Sequence, residues 1–409
     1  MLPLPEALHA LYARIPLGVR LGLEPMREAC AAVGNPERSF PAVHVAGTNG
    51  KGSVSVMVES IARASGLKTG LFTSPHLARF AERIQLDGHP ISDEQLRPLL
   101  AEALSRAPEL SFFETTTLAA FLAFRAAKVD LAVIEVGLGG RLDATNVIPT
   151  PRAACITRIA MDHTDRLGTT LVEIAREKAG IAKPGLDLVL GPLDADVRAA
   201  IDAVAHAAGA TTTSAEEDGE AVAFVSTARV GLAGAHQRAN ARVAYMLGRR
   251  VGADVTACAA GIAAAKWPGR LETLTTHEGK VLLDAAHNPD GVASLLAHLA
   301  TLALPAASVA LVFGVLADKA WTEMLDALAG AVALRFYVKP ATHARSPVTP
   351  DDLAGRHAGE VCASVEQALA RARAAVGSDG LVIVAGSILL VGEVRSLLLG
   401  LPRDPPVSM

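Results

Sequence analysis

Short apolar runs alternate with longer stretches in which apolar residues return every three or four positions, almost from one end of the chain to the other. Runs of strand length fall at 42–46, 69–72, 131–136, 154–159 and 186–190. Helical spacing falls at 54–64, 115–127, 196–207, 236–248 and 253–264. Strands alternating with helices predict parallel βαβ units, whose ligand sites lie at the carboxyl ends of the strands. After the turn-rich Trp267-Pro268-Gly269-Arg270 the alternation resumes, with strands at 280–284, 309–313, 334–338 and 381–385. This reads as a smaller α/β domain over 271–409. The stretch 211–220 reads as a polar loop and 402–409 as a frayed tail. No internal repeat interrupts the pattern.

Composition narrows the function. At 409 residues the chain fits two or three domains of about 150 residues. Half the residues are hydrophobic and a fifth charged, enough apolar material for covered cores. Aromatics are only 4%, which leaves little stacking surface for single-stranded nucleic acid. A net charge of −4 with no basic tract argues against nucleic acid or an anionic membrane as main partner. The first residues lack the basic flank and apolar core of a secretion signal, and no apolar stretch is long enough to span a bilayer. Cys30, Cys155, Cys258 and Cys362 are dispersed without metal-ligand spacing. A soluble cytoplasmic protein with reduced thiols is expected.

The chemistry concentrates where strands end. Val43-His44-Val45-Ala46-Gly47-Thr48-Asn49-Gly50-Lys51-Gly52-Ser53 runs from an apolar strand through glycines into an amphipathic helix. Such a turn points backbone N–H groups and the positive helix end at one spot, where polyphosphate binds. Lys51 adds a mobile charge and Ser53 a hydroxyl within reach of Mg²⁺. The alternative is a glycine-rich turn that binds nothing. The loop is a variant one, because Gly52 separates the lysine from the serine.

Further candidates follow the same logic. Glu135 is the one carboxylate near the end of an apolar strand, and burying it is costly unless it is paired or holds a cation. It reads as a magnesium ligand or as a glutamate satisfied by backbone donors. The glycine loop from Gly137 to Asp143 has the wrong spacing for a dinucleotide fingerprint. Asp162 and His163, adjacent at a strand end, serve a metal or substrate, or form an ordinary polar turn. Lys178 lies on a helical pattern and is either functional or merely solvated or paired. Asp284 and His287 open the second domain's first βα turn, with Asn288-Pro289 starting the helix. They fit ribose and phosphate, or a capping aspartate and a satisfied turn histidine. No nucleophile elbow or reactive-cysteine signature is present.

Taken in order, Gly47 to Ser53, Thr73-Ser74-Pro75-His76-Leu77, Glu82-Arg83-Ile84, Glu135 to Asn146, Asp162-His163-Thr164, Glu177-Lys178-Ala179-Gly180-Ile181, Trp267 to Arg270 and Asp284 to Pro289 resemble folylpolyglutamate synthase and dihydrofolate synthase/folylpolyglutamate synthase, within the Mur ligase superfamily. The resemblance covers nearly the whole chain. It implies an α/β fold: a P-loop-type, mostly parallel ATPase domain over 1–268, then a Rossmann-like glutamate ligase domain over 271–409. It implies ligation of L-glutamate to dihydropteroate or a folate, driven by ATP through an acyl phosphate.

Carried over by motif, Gly47, Thr48, Asn49, Gly50, Lys51, Gly52 and Ser53 bind the ATP phosphates, with Asn240, Arg270, Asp284 and His287 as further nucleotide contacts. Lys51, Glu135, His163 and Lys178 are the catalytic set. Ser53, Ser74, Glu135 and His163 hold magnesium at two sites. Thr73, Pro75, His76, Arg83 and Asp162 fall at the substrate. Lys178 matches a lysine that is carbamylated in the superfamily. Closure of the two domains over ATP is expected to assemble the site. Ala285 stands where the family commonly has glycine.

A monomer is expected on family grounds. Both K⁺ dependence and the length and linkage of the glutamate chain stay open. A Mur-type ligase for another acid is the nearest rival, and a nucleotide-binding regulator without catalysis is the rival from another class.

Overall fold

The computed structural model describes residues 4–15, 22–342 and 345–404. The chain divides into two compact units. The first comprises 1–76, 81–231 and 237–266; the second comprises 77–80, 232–236 and 267–409.

The first unit is built on an eight-stranded sheet, with β1 (Ala42–Ala46), β2 (Thr69–Phe72), β3 (Ile84–Leu86), β4 (His89–Pro90), β5 (Leu131–Glu135), β6 (Ala153–Ile156), β7 (Asp187–Leu190) and β8 (Thr211–Ser214). Their order is β4-β3-β2-β5-β1-β6-β7-β8. From β2 to β8 every neighbouring pair is parallel, and β3 and β4 add an antiparallel edge. β1, β2, β5 and β6 are buried along their whole length, as parallel strands covered on both faces must be. The helix Lys51–Ala64 follows β1 and is itself buried from Ser53 to Ala62.

Register decides where function can gather. Val45 pairs with Glu135, Ala46 with Ile156, and Phe72 with Ile134. The carboxyl ends of four contiguous strands are therefore level, and Gly47, Thr73, Val136 and Thr157 leave the sheet along one edge.

The second unit has a six-stranded sheet: β9 (Glu272–Thr276), β10 (Gly279–Leu283), β11 (Val309–Phe313), β12 (Leu334–Tyr337), β13 (Glu360–Val361) and β14 (Leu381–Ala385), in the order β13-β12-β11-β14-β10-β9. Only the β9–β10 hairpin is antiparallel. Leu311, Phe313 and Leu325 pack on one face of the sheet, and Val312, Val384 and Leu390 on the other.

Two sequence expectations fail. The stretch 211–220 is not a loop: it holds β8 and the start of the helix Gly219–Thr227, capped by Asp218. The threonines of β8 are polar because this is an edge strand, and Thr213 donates to Asp187 of β7 at 2.9 Å. The tail is not frayed through 404. Asp404 accepts from the Phe80 N–H at 2.6 Å, and its own N–H donates to the Ala78 carbonyl at 2.9 Å. Residues 405–409 lie outside the described residues. All four cysteines are free and buried.

Candidate active site

Gly47 leaves β1 with φ of 142° and Gly50 precedes the helix with φ of 90°, a region side chains rarely adopt. At Gly47 a Cβ would also overlap the Thr157 hydroxyl. The loop is held from β6: Thr157 Oγ1 donates to the Asn49 carbonyl at 2.7 Å, and the Thr48 N–H donates to the Arg158 carbonyl at 2.8 Å. Lys51 Nζ rests on the Thr48 carbonyl at 3.0 Å. Ser53 is buried, and its hydroxyl accepts from Gln237 Nε2 at 3.2 Å. Gln237 Oε1 in turn accepts from Asn240 Nδ2 at 2.9 Å, and Asn240 lies against Gly50. The helix His236–Arg250 thus presents two amides, three residues apart on one face, to the phosphate loop.

Glu135 ends β5 with 4% exposure and accepts from the Ser74 N–H at 3.3 Å. Ser74 opens the turn after β2, where the Ser74–Pro75 bond is cis. Thr73 is anchored by its N–H on the Arg83 carbonyl. Arg83 is fully buried; its Nε donates to His76 Nδ1 at 2.8 Å, and its guanidinium lies 5.2 Å from the Phe112 ring centre. Burial pushes Arg83 down to about 10, opposed by Tyr12, Glu82 and Glu135. Burial and the Arg83 charge hold His76 well below the ordinary histidine range, so His76 is a neutral acceptor.

Lys178 is neither solvated nor paired with its neighbour Glu177, which binds Arg141 instead. It is 5% exposed and donates from Nζ to the Gly47 carbonyl at 2.8 Å. Burial and the Lys51 charge push its amine down to about 7, against the pull of Asp162 and Asp143. His163 starts the short helix Thr164–Leu167 with a left-handed backbone, its N–H on Asp162 Oδ1 at 2.9 Å. Its ring is part exposed, 3.9 Å from that carboxylate.

In the second unit Arg270, Asp284 and His287 cluster. Asp284 accepts from the N–H groups of Leu271 at 2.9 Å and Ala286 at 3.0 Å, so its carboxylate is satisfied by turn backbone rather than by capping a helix. Burial raises its pKa against the Arg270 charge. Arg270 Nη1 and His287 Nδ1 both meet the Ala285 carbonyl. Asn288 caps the helix Pro289–Leu302.

The first unit thus brings together the phosphate loop, Lys51, Ser53, Asn240 and Lys178, and beside them Thr73, Ser74, His76, Arg83 and Glu135. Sequence reading passes over Gln237 and Thr157. Gln237 had a signal, its spacing of three from Asn240; Thr157 had none, because a strand-end threonine is ordinary. Among the described residues no three His, Cys, Asp or Glu side chains gather as a metal centre. The Ser53 and Ser74 hydroxyls and the Glu135 carboxylate are hard oxygen donors at the phosphate loop's edge, the kind Mg²⁺ takes alongside phosphate and water. No described helix is long and apolar enough to cross a membrane.

Two family models match the chain. The Mur ligase middle domain matches residues 45–248, and the Mur ligase glutamate ligase domain matches 269–388. The dihydrofolate synthase/folylpolyglutamate synthase of Bacillus subtilis is 34% identical over 429 residues, covering 96% of this chain and 98% of that one. A probable bifunctional folylpolyglutamate synthase/dihydropteroate synthase of Haloferax volcanii is 36% identical over 96% of this chain, which spans only half of that longer protein.

Solved structures are similar over nearly the whole chain. E. coli FolC in complex with DHPP and ADP superposes with a TM-score of 0.87 at 30% identity, covering 98% of both chains. The Yersinia pestis folylpolyglutamate synthase/dihydrofolate synthase with AMPPNP and a Mn ion gives 0.85 at 30% identity over the same coverage. The chain belongs to the folylpolyglutamate synthase/dihydrofolate synthase family of ATP-dependent ligases within the Mur ligase superfamily.

Proposed function

We propose that this protein joins L-glutamate to the carboxylate of dihydropteroate and of reduced folates, acting as a cytosolic monomer. An acceptor carboxylate oxygen attacks the γ-phosphorus of ATP, the bond to the β-phosphate oxygen breaks, and ADP leaves. The glutamate amine then attacks the acyl phosphate carbonyl, loses a proton, and expels inorganic phosphate. The observation that carries this reading is the level alignment of the phosphate loop with Glu135 on neighbouring strands, with the Lys178 amine seated on Gly47.

In this reading the loop N–H groups and Lys51 hold the β- and γ-phosphates. Thr157, Gln237 and Asn240 keep the loop in shape before ATP arrives. Ser53 and Glu135 would hold one Mg²⁺, and Ser74, Glu135 and His163 a second; bound there, the cations would neutralise charge on the transferring phosphoryl group. Thr73, Pro75, His76, Arg83 and Asp162 line the acceptor's position, and Arg270, Asp284 and His287 complete the nucleotide contacts. A lysine that is substantially neutral near pH 7 is able to take up CO₂, releasing a proton, so Lys178 fits the carbamate of the superfamily. That group would place a negative charge where the amine now stands.

The test is ADP release with MgATP and L-glutamate, comparing dihydropteroate, tetrahydrofolate and no acceptor, with product masses recorded. Glutamate adducts of both acceptors are expected, and a folded Glu135→Gln variant should release no ADP. Adducts of one acceptor would narrow the activity. No acceptor-dependent release, with ATP bound, would overturn the reading.

A further inference from the structure

β1 feeds the phosphate loop and carries one polar side chain, His44, which is completely buried. We infer that His44 is a positioning residue for the ligase reaction: through Thr145 and Asp143 it seats the loop that follows Glu135 and is hydrogen-bonded to the end of the helix bearing Lys178.

The contacts run in one direction. His44 Nε2 lies 2.9 Å from Thr145 Oγ1, and Thr145 Oγ1 lies 2.5 Å from Asp143 Oδ1. The Asp143 carboxylate also accepts from the Thr145 N–H at 3.0 Å and the Leu138 N–H at 2.8 Å. Burial raises the Asp143 pKa against the hydrogen bonds from Thr145, Leu138 and Gly137; as the carboxylate, with N–H donors on both oxygens, it takes the single Thr145 hydroxyl proton. His44 must then donate to Thr145 from Nε2, which leaves Nδ1 without a hydrogen. No protein group among the described residues partners that Nδ1. Burial and the Lys183 charge push the His44 imidazole down to about 3, consistent with one neutral tautomer.

What the chain holds in place is the functional loop. Asp143 ties the loop back on itself at Leu138, three residues past Glu135. From there the loop is fastened to the end of the Lys178 helix, the Arg141 N–H donating to the Glu177 carbonyl at 2.9 Å. Asn146 Nδ2 donates to the carbonyls of Arg141 and Gly180, each at 3.1 Å. His44 therefore braces the segment that fixes the spacing between Glu135 and Lys178. A leucine would fill the same slot with no bare acceptor, and Thr145 would still donate to Asp143. The histidine's contribution is thus to geometry rather than to stability.

The inference rests on the ligase reading, and one experiment separates the two. Melting temperature, kcat and the KM for ATP are compared for the wild type, His44→Leu and His44→Gln, the last keeping a donor near the Nε2 position. His44→Leu is expected to melt within a few degrees of the wild type, with kcat down about 10-fold or more and the ATP KM within about twofold. His44→Gln should recover most of kcat. Equal kcat in the wild type and His44→Leu overturns the role of His44 alone. A kcat loss that tracks an equal loss of melting temperature, with no recovery in His44→Gln, overturns it too. Absence of acceptor-dependent ADP release from the wild type overturns the ligase reading itself.

Discussion

A lysine amine buried beside a second lysine has to be explained at the scale of single groups. In the unfolded chain Lys178 titrates near 10.5, whereas in the fold burial and Lys51 bring it to about 7. Between those values the unfolded chain binds a proton that the folded one does not. Stability contributed at this site therefore rises with pH from about 7 toward 10.5, at no more than about 1.4 kcal/mol per pH unit. Below about pH 7 both states are protonated and the full cost of burying the charge is felt. Urea unfolding in CO₂-free buffer between pH 7 and 9 should show the wild type gaining more stability than Lys178→Met. Parallel slopes for the two would mean that the amine is not held neutral by the fold. Nothing in Glu177-Lys178-Ala179 betrays this in the sequence. The carbonyl that receives Lys178 belongs to Gly47, 131 positions away.

Elements show how one residue type serves two ends. Gly47 is needed for a backbone angle and for closeness to Thr157; Gly261 is needed because the helix Val255–Ala264 lies against the backbone of Ile61 in the phosphate-loop helix. Gly47→Ala should therefore lower the melting temperature, through a strained backbone and the clash with Thr157, and also abolish measurable MgATP binding in the protein that stays folded. Gly261→Ala should lower stability by about 1–3 kcal/mol, as overpacking does, while nucleotide affinity in the folded protein changes little. Calorimetric titration and a thermal melt on both variants check the pair, and the reverse pattern would refute it. The element pattern itself was largely legible. β1, β2, β11 and β14 fall where apolar runs predicted them, because parallel strands covered on both faces have no polar alternation to blur them. The helix after the phosphate loop begins at Lys51 rather than Val54, since its first turn is polar for the sake of phosphate rather than packing. β8 was missed for the opposite reason: its threonines satisfy a sheet edge without any apolar signal.

At the scale of the molecule, the chain's division is only partly a matter of sequence order. Leu77–Phe80 and Leu232–His236 group with residues after 267, and pieces of four and five residues carry no periodicity that would reveal it. The phosphate loop, the Thr73 turn, Glu135 and the Asp284 turn were easier to place, because each lies at or just past a strand's carboxyl end and strand ends are what a parallel sheet aligns. The Asp284 turn is an instance, since the same carboxylate that accepts from the Leu271 and Ala286 N–H groups sits beside Arg270. If Arg270 takes part in nucleotide binding, ligand-linked stability will report it. A ligand bound only by the folded state at about 100 times its Kd adds about 2.7 kcal/mol. MgATP at that ratio should stabilise the wild type by this amount against urea. At the same MgATP concentration Lys51→Ala should lose nearly all of the gain and Arg270→Ala a substantial part, each gain measured against that variant's own ligand-free stability. An undiminished gain in Arg270→Ala would remove the second unit's arginine from the nucleotide site. The assignment to Lys51 and the phosphate loop would still stand.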